Sequence, residues 1–208
     1  MINILQKILS RNKSTNQTEH PLKYLITGLG NIGEEYKNTR HNIGFNVLDA
    51  FAKSQDATFT SSRYADMAKI KFKGRIIILI KPTTFMNLSG NSVRYWMQKE
   101  NIPLENLLVI CDDLALSLGT LRMKGKGGDG GHNGLINIIE QIGTTNFTRL
   151  RFGIGDNFPK GKQINYVLGK WTKEEEPLLP SRIEIAIEMI KSFTALGSEK
   201  TMTAFNNK

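Results

Sequence analysis

The chain has 208 residues, 39% hydrophobic and 23% charged, a composition that excludes wholesale disorder and suffices for one folded domain. Lysine and arginine number 28 against 19 acidic residues, and the net charge of +9 favours nucleic acid or an anionic membrane surface as a partner. The single cysteine, Cys111, excludes an intramolecular disulfide, and no apolar run approaches the roughly 18 residues needed to cross a bilayer. We therefore expect a cytoplasmic protein that does not enter a membrane.

Residues 1–22 are predicted to form an N-terminal extension. An apolar stretch, Met1–Leu9, precedes a polar run and Pro21, and it lacks the basic start and small-residue cleavage site of a secretory signal. A frayed tail and a short docking helix are both open for this segment. The folded domain is predicted to cover residues 23–208.

From Lys23 onward, strand-like runs alternate with stretches of helical periodicity. The strands are predicted at Tyr24–Thr27, Ala68–Phe72, Ile76–Ile80, Leu107–Ile110, Leu121–Met123 and Arg149–Ile154. Apolar helical faces are predicted at Ile43–Phe51, Val93–Met97, Leu135–Ile142 and Ile183–Phe193. Gly74 joins the second and third strands as a hairpin. This alternation predicts an α/β fold: a single-domain three-layer sandwich with a mixed, mostly parallel sheet and helices on both faces.

Directly after the first strand, Gly28–Gly33 matches the G-x-G-x-x-G fingerprint of dinucleotide-binding proteins, and Asp49 lies near the spacing of a ribose-binding acid. Glu34 and Glu35 follow the glycines, however, and their charges would repel a pyrophosphate. Helical periodicity starts only near Ile43, and Asp49 falls within that helix. The dinucleotide-dependent oxidoreductase is therefore the disfavoured alternative.

Polar side chains follow several of the predicted strands, where the sites of α/β sheets form. They are Asn31 and His41 after the first strand, Asn87 after Ile80, Asp112 and Asp113 after Ile110, and His132 and Asn133 after Met123. Each has an ordinary structural explanation by itself. Their joint placement predicts one polar site at one rim of the sheet.

These residue types favour hydrolysis of an ester or amide. His41 precedes a helix, whose N-terminus disfavours the imidazolium and suits a general base, and Asp112 is the natural acceptor to orient it. No serine stands in a nucleophile elbow, so water is the expected nucleophile. The amides of Asn31, Asn87 and Asn133 can hold a carbonyl, a water or an oxyanion.

A metal site built from His41, His132, Asp112 and Asp113 is the alternative use of the same residues. No H-E-x-x-H motif or cysteine cluster supports it. The metal site is therefore the disfavoured alternative.

The glycine-rich loop with Lys124 and Lys126 suits a phosphate backbone, because glycines permit close approach and lysines neutralise charge. A flexible solvated loop explains the same residues. Arg149 and Arg151, on the next predicted strand, are expected to extend this basic surface.

Several blocks together resemble the bacterial, monomeric peptidyl-tRNA hydrolase family. They are Gly28–Gly33, Tyr36–Gly44, Lys81–Gly90, Asp112–Leu114, Gly130–Gly134 and Arg149–Gly155, and they follow family order from about Lys23 to the C-terminus. The resemblance implies a hydrolase that cuts the ester between a peptide and tRNA and so recycles tRNA, and it implies neither a metal nor an organic cofactor.

By that resemblance His41 is the catalytic base, Asp112 its partner, and Asn31 and Asn87 flank the ester. The resemblance further implies substrate contacts for Tyr36, Met86, His132 and Asn133 and tRNA phosphate contacts for Lys124 and Arg151, beside which Lys126 is also assigned to tRNA. The departures from the usual family pattern are Ile32, Cys111, Ala115 and Asp129. A non-enzymatic RNA-binding protein is the third alternative, disfavoured because the base, acid and asparagine set is intact.

Overall fold

Runs rich in isoleucine, leucine and valine form one seven-stranded sheet in the computed structural model, which describes residues 21–206. The strands are β1 (Lys23–Gly28), β2 (Thr60–Ser62), β3 (Ala65–Phe72), β4 (Arg75–Pro82), β5 (Leu107–Asp113), β6 (Leu121–Lys124) and β7 (Thr148–Gly153). Their order is β2-β3-β4-β1-β5-β7-β6. The central strands β4, β1, β5 and β7 are parallel, whereas β2, β3 and β6 pair antiparallel at the edges.

Six α-helices lie within the described residues. They are α1 (Ile43–Ser54), α2 (Ser89–Glu100), α3 (Asn133–Ile142), α4 (Gln163–Val167), α5 (Leu179–Leu196) and α6 (Ser198–Phe205). The four helices and six strands predicted from periodicity are confirmed, whereas β2, α4 and α6 were not predicted. None of the helices in residues 21–206 is long and apolar enough to cross a membrane.

The sheet is covered on both faces, because successive side chains of its central strands point in opposite directions. On β1, Ile26 packs into a core closed by α1 and α5, whereas its neighbour Leu25 packs into a second core closed by α2 and α3. Both side chains are fully buried, which contributes roughly 1.5–3 kcal/mol each. The predicted three-layer α/β sandwich is therefore confirmed.

The chain order of the sheet creates a crevice between β1 and β5. From β1 the chain crosses to β4 on one side, and from β4 it crosses back to β5 on the other. Crevices of this kind, beyond the carboxyl ends of parallel strands, are where α/β sheets place their sites. The amino ends of α1 and α3 approach this crevice from opposite faces of the sheet.

The glycines of the dinucleotide-like fingerprint serve close packing of β1 against α1. A Cβ atom on Gly28 would lie 2.3 Å from the carbonyl oxygen of Gly44, and one on Gly44 would lie 2.4 Å from the amide nitrogen of Leu29. The residues after the fingerprint form a short 3-10 helix, Glu34–Tyr36, and α1 begins only at Ile43. Asp49 lies exposed on α1 and pairs with Lys81. These features remove the structural basis of the dinucleotide alternative.

The Gly44→Ala substitution is expected to destabilise the protein by about 3 kcal/mol or more. The added methyl group would meet only backbone atoms, of Leu29 and Ile110, and these cannot move without displacing β1 or β5. Chemical denaturation of the purified variants measures the change in unfolding free energy. Gly125→Ala is the matched control, because a Cβ there meets nothing within 4 Å, and a change above about 0.5 kcal/mol is not expected. Equal stability of the two variants would contradict the packing role.

Two details of the sheet differ from the sequence prediction. Asp112 and Asp113 are the last residues of β5 and do not follow it. Because β6 runs antiparallel, Lys124 at its end pairs with Arg149 near the amino end of β7 and lies away from the rim. The glycine-rich loop must therefore cross back before its later residues reach the site. The predicted N-terminal extension lies outside the described residues, apart from Pro21 and Leu22.

Candidate active site

Three side chains meet over the crevice, and each is placed by the end of a regular element. His41 lies in the 3-10 helix Arg40–Asn42, which leads directly into α1. Asp112 is near the carboxyl end of β5, and His132 is the N-cap residue of α3. The site therefore bridges both helical layers through the central sheet.

Asp112 accepts hydrogen bonds from both histidines. His41 Nδ1 lies 2.8 Å from Asp112 Oδ1 and 3.0 Å from Oδ2, and His132 Nε2 lies 3.0 Å from Oδ1. The centres of the two imidazole rings are 4.8 Å apart. Asp112 is only 5% exposed, so hydrogen bonds from the two histidines take the place of most of its contacts with water.

The hydrogen bonds fix the tautomers of both rings. His132 Nδ1 accepts from the backbone N–H of Gly134 at 3.1 Å and also faces the N–H of Leu135, so it carries no proton and Nε2–H donates to Asp112. His41 donates Nδ1–H to the same carboxylate. Its Nε2 atom therefore keeps a lone pair, and within residues 21–206 that atom has no hydrogen-bond partner.

Asp112 is held as a carboxylate. Its burial opposes ionisation, but electrostatic attraction to the His132 and His41 rings and the hydrogen bonds from both outweigh burial and hold the pKa of Asp112 well below its usual range. The group is therefore ionised at neutral pH and can orient His41.

Cys111 lies beside Asp112 but faces away from the crevice. It is 1% exposed within the core under α2 and α3, and burial, together with the negative charges of Asp112 and Asp113, raises the pKa of its thiol well above its usual range. A buried, protonated thiol is a poor nucleophile. The structure thus agrees with the interpretation of Cys111 as a core residue.

Asn31 does not line the cleft beside the histidines, but hydrogen bonds hold it to Asn42, which follows His41, and to Met86. Its backbone N–H donates to Asn42 Oδ1 at 2.8 Å, and its side-chain Oδ1 accepts from the backbone N–H of Met86 at 2.9 Å. Asn42 Nδ2 closes the pair by donating to the Asn31 carbonyl. The Nδ2 group of Asn31 has no partner among the residues that the structure describes, so it is a donor with a fixed direction.

A cleft of about 240 Å³ opens beside the His41–Asp112 pair. It brings together the predicted residues His41, Asp112, His132, Asn133 and Arg151. Ala115 and Asp129, two departures from the family pattern, also line it. Its apolar wall includes Leu114, Ile164 and Val167. The last two were not predicted, because residues 155–178 show no extended periodicity.

The remaining predicted residues lie outside this cleft. Met86 is buried and Asn87 exposed on the 3-10 helix Met86–Leu88, which Asn31 joins to the site through its hydrogen bond to Met86. Tyr36 is half-buried, and Lys124 and Lys126 are exposed on β6 and the loop after it.

The prediction that Arg149 extends the basic surface is wrong. Arg149 is 2% exposed, and its guanidinium donates to the carbonyl oxygens of Gly128 and Thr145. It therefore anchors the glycine-rich loop from within. Arg151, two residues further on, does reach the cleft, where its Nε donates to Asp113.

Arg40 links the segment that carries His41 to the cleft wall, a role that the sequence prediction missed. Arg40 is 5% exposed, and its guanidinium donates to the Lys170 carbonyl at 2.9 Å and to Glu175 at 2.6 Å. The guanidinium also stacks 4.3 Å from the ring centre of Tyr166. Because Arg40 immediately precedes His41, the segment that carries α4 is tied to the residue that bears the free imidazole nitrogen.

The same three side chains have the chemistry of metal ligands. Ligand atoms of His41, Asp112 and His132 lie within 4.8 Å of one another. Their pairwise separations of 2.8 and 3.0 Å are those of hydrogen bonds, and Asp113, the fourth residue of the metal alternative, is engaged with Arg151. The arrangement is therefore explained by hydrogen bonding, and a chelator can test it.

Comparison with known proteins identifies the family. The sequence matches the family model described as peptidyl-tRNA hydrolase over residues 25–208. It is 60% identical over 187 residues to the peptidyl-tRNA hydrolase of Phocaeicola vulgatus, covering 90% of this chain and all of that protein, and 59% identical to that of Bacteroides fragilis with the same coverage. The crystal structure of peptidyl-tRNA hydrolase from Acinetobacter baumannii superposes with a TM-score of 0.83 at 35% identity and covers 88% of this chain and 94% of that one. The chain belongs to the peptidyl-tRNA hydrolase family, as its sequence blocks predicted.

Proposed function

We propose that the protein hydrolyses the ester between a peptide and the 3′-terminal ribose of tRNA, using a water molecule activated by His41. The observation that carries this proposal is the free Nε2 atom of His41, on a ring whose other nitrogen is bonded to the buried carboxylate of Asp112. A neutral imidazole held in this way is a general base. Membership of the peptidyl-tRNA hydrolase family supplies the substrate class.

In the proposed reaction, Nε2 of His41 accepts a proton from water while the water oxygen attacks the ester carbonyl. The carbonyl oxygen becomes an oxyanion, and the Nδ2 group of Asn31 is proposed to donate to it or to the adjacent peptide carbonyl. The imidazolium is stabilised by Asp112 and returns the proton to the ribose oxygen as the C–O bond breaks. The products are the free peptide and the tRNA 3′-hydroxyl.

The two halves of the substrate are assigned to different parts of the surface around the site. Lys124, Lys126 and Arg151, on the β6–β7 side, are proposed to contact tRNA phosphates. The peptide half is proposed to lie near Tyr36, Met86, Asn87, His132 and Asn133.

Release of the acyl group from N-acetyl-aminoacyl-tRNA and from free aminoacyl-tRNA, both in the presence of EDTA, tests this function. Rapid release from the blocked substrate alone would support a metal-independent peptidyl-tRNA esterase. Loss of release on chelation would instead favour the metal site of His41, Asp112 and His132. Tight tRNA binding without release would leave a non-enzymatic RNA-binding protein.

We further propose that the protein acts as a monomer in the cytoplasm, with residues 23–208 as its working domain. Size-exclusion chromatography with light scattering tests the monomer, and the activity of a chain that starts at residue 21 tests the domain boundary.

His132 is expected to position Asp112 and to cap α3, and two substitutions separate these roles. His132→Ala removes both, whereas His132→Asn keeps a good N-cap residue but is too short to reach Asp112. Because a hydrogen bond to a charged group contributes roughly 1.5–3 kcal/mol, we expect both variants to lose about tenfold or more in kcat. Only His132→Ala is expected to lose about 1 kcal/mol of unfolding free energy. Full activity of His132→Asn would contradict the positioning role.

A further inference from the structure

A cluster of two exposed cations and three aromatic rings, of which Trp96 is buried, lies at the opposite edge of the sheet from the proposed tRNA contacts. The guanidinium of Arg63 lies 5.2 Å from the ring centres of both Tyr64 and Tyr95, which contact each other edge to face. Lys99 lies 4.5 Å from the ring centre of Trp96 and 5.6 Å from that of Tyr95. We call these residues the Arg63 cluster.

The positive charge of the Arg63 cluster is not neutralised. Neither Arg63 nor Lys99 forms an ion pair with an acid among residues 21–206, and both are exposed. The neighbouring Glu100 is already engaged by Lys23 and Lys69. Met67 packs against the core under α2, and its neighbour Asp66 points to the opposite face of β3. Asp66 therefore points away from the helix that carries Tyr95 and Lys99.

The backbone at Tyr64 is in an unfavourable conformation. Tyr64 has φ of 63° in the turn between β2 and β3, a region that glycine or asparagine occupies at lower cost. The residue as a whole is 40% exposed, so burial in the core does not explain the conformation. Strained residues of this kind concentrate where proteins hold ligands.

The Arg63 cluster is close to the proposed peptide-binding residues. The backbone N–H of Thr83 donates to the Tyr64 carbonyl at 3.0 Å, and Met86, three residues later, donates to Asn31. Three residues span at most about 11 Å, and an extended peptide advances about 3.4 Å per residue. A peptide that leaves the ester along the Thr83–Met86 segment would reach the cluster about three to five residues upstream.

The position across the sheet favours the peptide over the tRNA as the occupant. The histidine–aspartate site lies over β1 and β5, Lys124 and Arg151 lie on β6 and β7, and the Arg63 cluster is at the start of β3. At about 4.8 Å per strand, β3 is about 19 Å from β7. We infer that the Arg63 cluster is a distal subsite for acidic side chains of the peptide, three to five residues upstream of the ester; this inference rests on the proposed function.

Hydrolysis of three tRNA esters tests the subsite: N-acetyl-aminoacyl-tRNA, and hexapeptidyl-tRNAs that carry aspartate or lysine at the fourth residue from the ester. Arg63→Ala is expected to raise KM for the aspartate hexapeptide about fivefold, with kcat unchanged, and to leave the N-acetyl substrate unaffected. Arg63→Glu is expected to have a lower KM for the lysine hexapeptide than for the aspartate hexapeptide. The matched control Lys53→Ala removes an exposed charge from the end of α1 and corrects for the overall field.

An unchanged KM for the aspartate hexapeptide in Arg63→Ala would overturn the inference. An equal rise in KM for the short and long substrates would overturn it in favour of an RNA contact. Failure of the proposed function is separate, since the unsubstituted protein would then not hydrolyse the N-acetyl substrate. Arg63 is exposed and its backbone carbonyl, not its side chain, accepts from Trp96, so these substitutions are not expected to unfold the chain.

Discussion

The His41→Ala variant is expected to hydrolyse N-acetyl-aminoacyl-tRNA with a kcat about 10²–10⁴-fold lower than that of the unsubstituted protein. The substitution removes the Nε2 lone pair. Among residues 21–206 the other imidazole bonded to Asp112 is that of His132, and both of its nitrogens already have hydrogen-bond partners. Water would then attack without a base. Single-turnover measurement of acyl release at saturating enzyme gives the chemical rate directly.

Two controls separate loss of the base from loss of the site. The affinity of His41→Ala for tRNA is expected to stay within about twofold, because the phosphate contacts are assigned to residues on β6, β7 and their loop. Added imidazole is expected to restore part of the rate, and more so as the pH rises and the free base increases. A rate that remains near that of the unsubstituted protein would show that His41 is not the base.

The central part of the fold could be predicted from the sequence, because burial on both faces leaves a strong pattern. Tyr24–Thr27 and Leu107–Ile110 are continuous apolar runs, and both became central parallel strands. The three residues of β2 and the five of α4 are too short to show a period. The conformation of β2 depends on its pairing with β3, and that of α4 on the hydrogen bond from Arg40 to the Tyr166 carbonyl. A local sequence pattern shows neither contact.

The candidate site was predictable to the level of which strand ends carry its residues. Polar residues at the ends of parallel strands were expected at one rim, so Asp112 was the natural acceptor for His41. That β1 and β5 are direct neighbours was not predicted. The second histidine contact could not be predicted, since it depends on His132 capping α3 with the opposite ring nitrogen. Alternation along β7 also placed Arg149 and Arg151 on one face, but it could not show that backbone carbonyls enclose Arg149.

Asp112 connects the catalytic proposal with the stability of the fold. Its folded pKa lies below the ordinary carboxyl range, so ionisation of Asp112 stabilises the folded state above that range. This contribution is fully present at neutral pH and is lost as the pH falls below about 4 toward the folded pKa. Asp112→Asn, which cannot ionise, is therefore expected to be less stable than the unsubstituted protein at pH 7, with a smaller difference below pH 4.

The Asp112→Asn substitution is expected to lower kcat about 10³–10⁴-fold with little change in tRNA affinity. An amide oxygen in the Oδ1 position still accepts from both histidines, but an NH₂ group then replaces Oδ2, 3.0 Å from His41 Nδ1. Two N–H groups repel at that distance, and His41 is expected to move its proton to Nε2, the atom that must accept from water. His132 cannot adjust, because the N–H groups at the start of α3 fix its tautomer.

The matched control is Asp49→Asn, which removes an exposed carboxylate that pairs with Lys81 on the surface of α1. Its kcat is expected to change by less than about twofold, because exposed ion pairs contribute little. NMR of the imidazole nitrogens measures the tautomer of His41 directly in both variants. A proton that stays on Nδ1 in Asp112→Asn, together with a large loss of kcat, would mean that Asp112 acts through its charge on the imidazolium. A proton on Nε2 would mean that the carboxylate acts first by choosing which nitrogen faces the water.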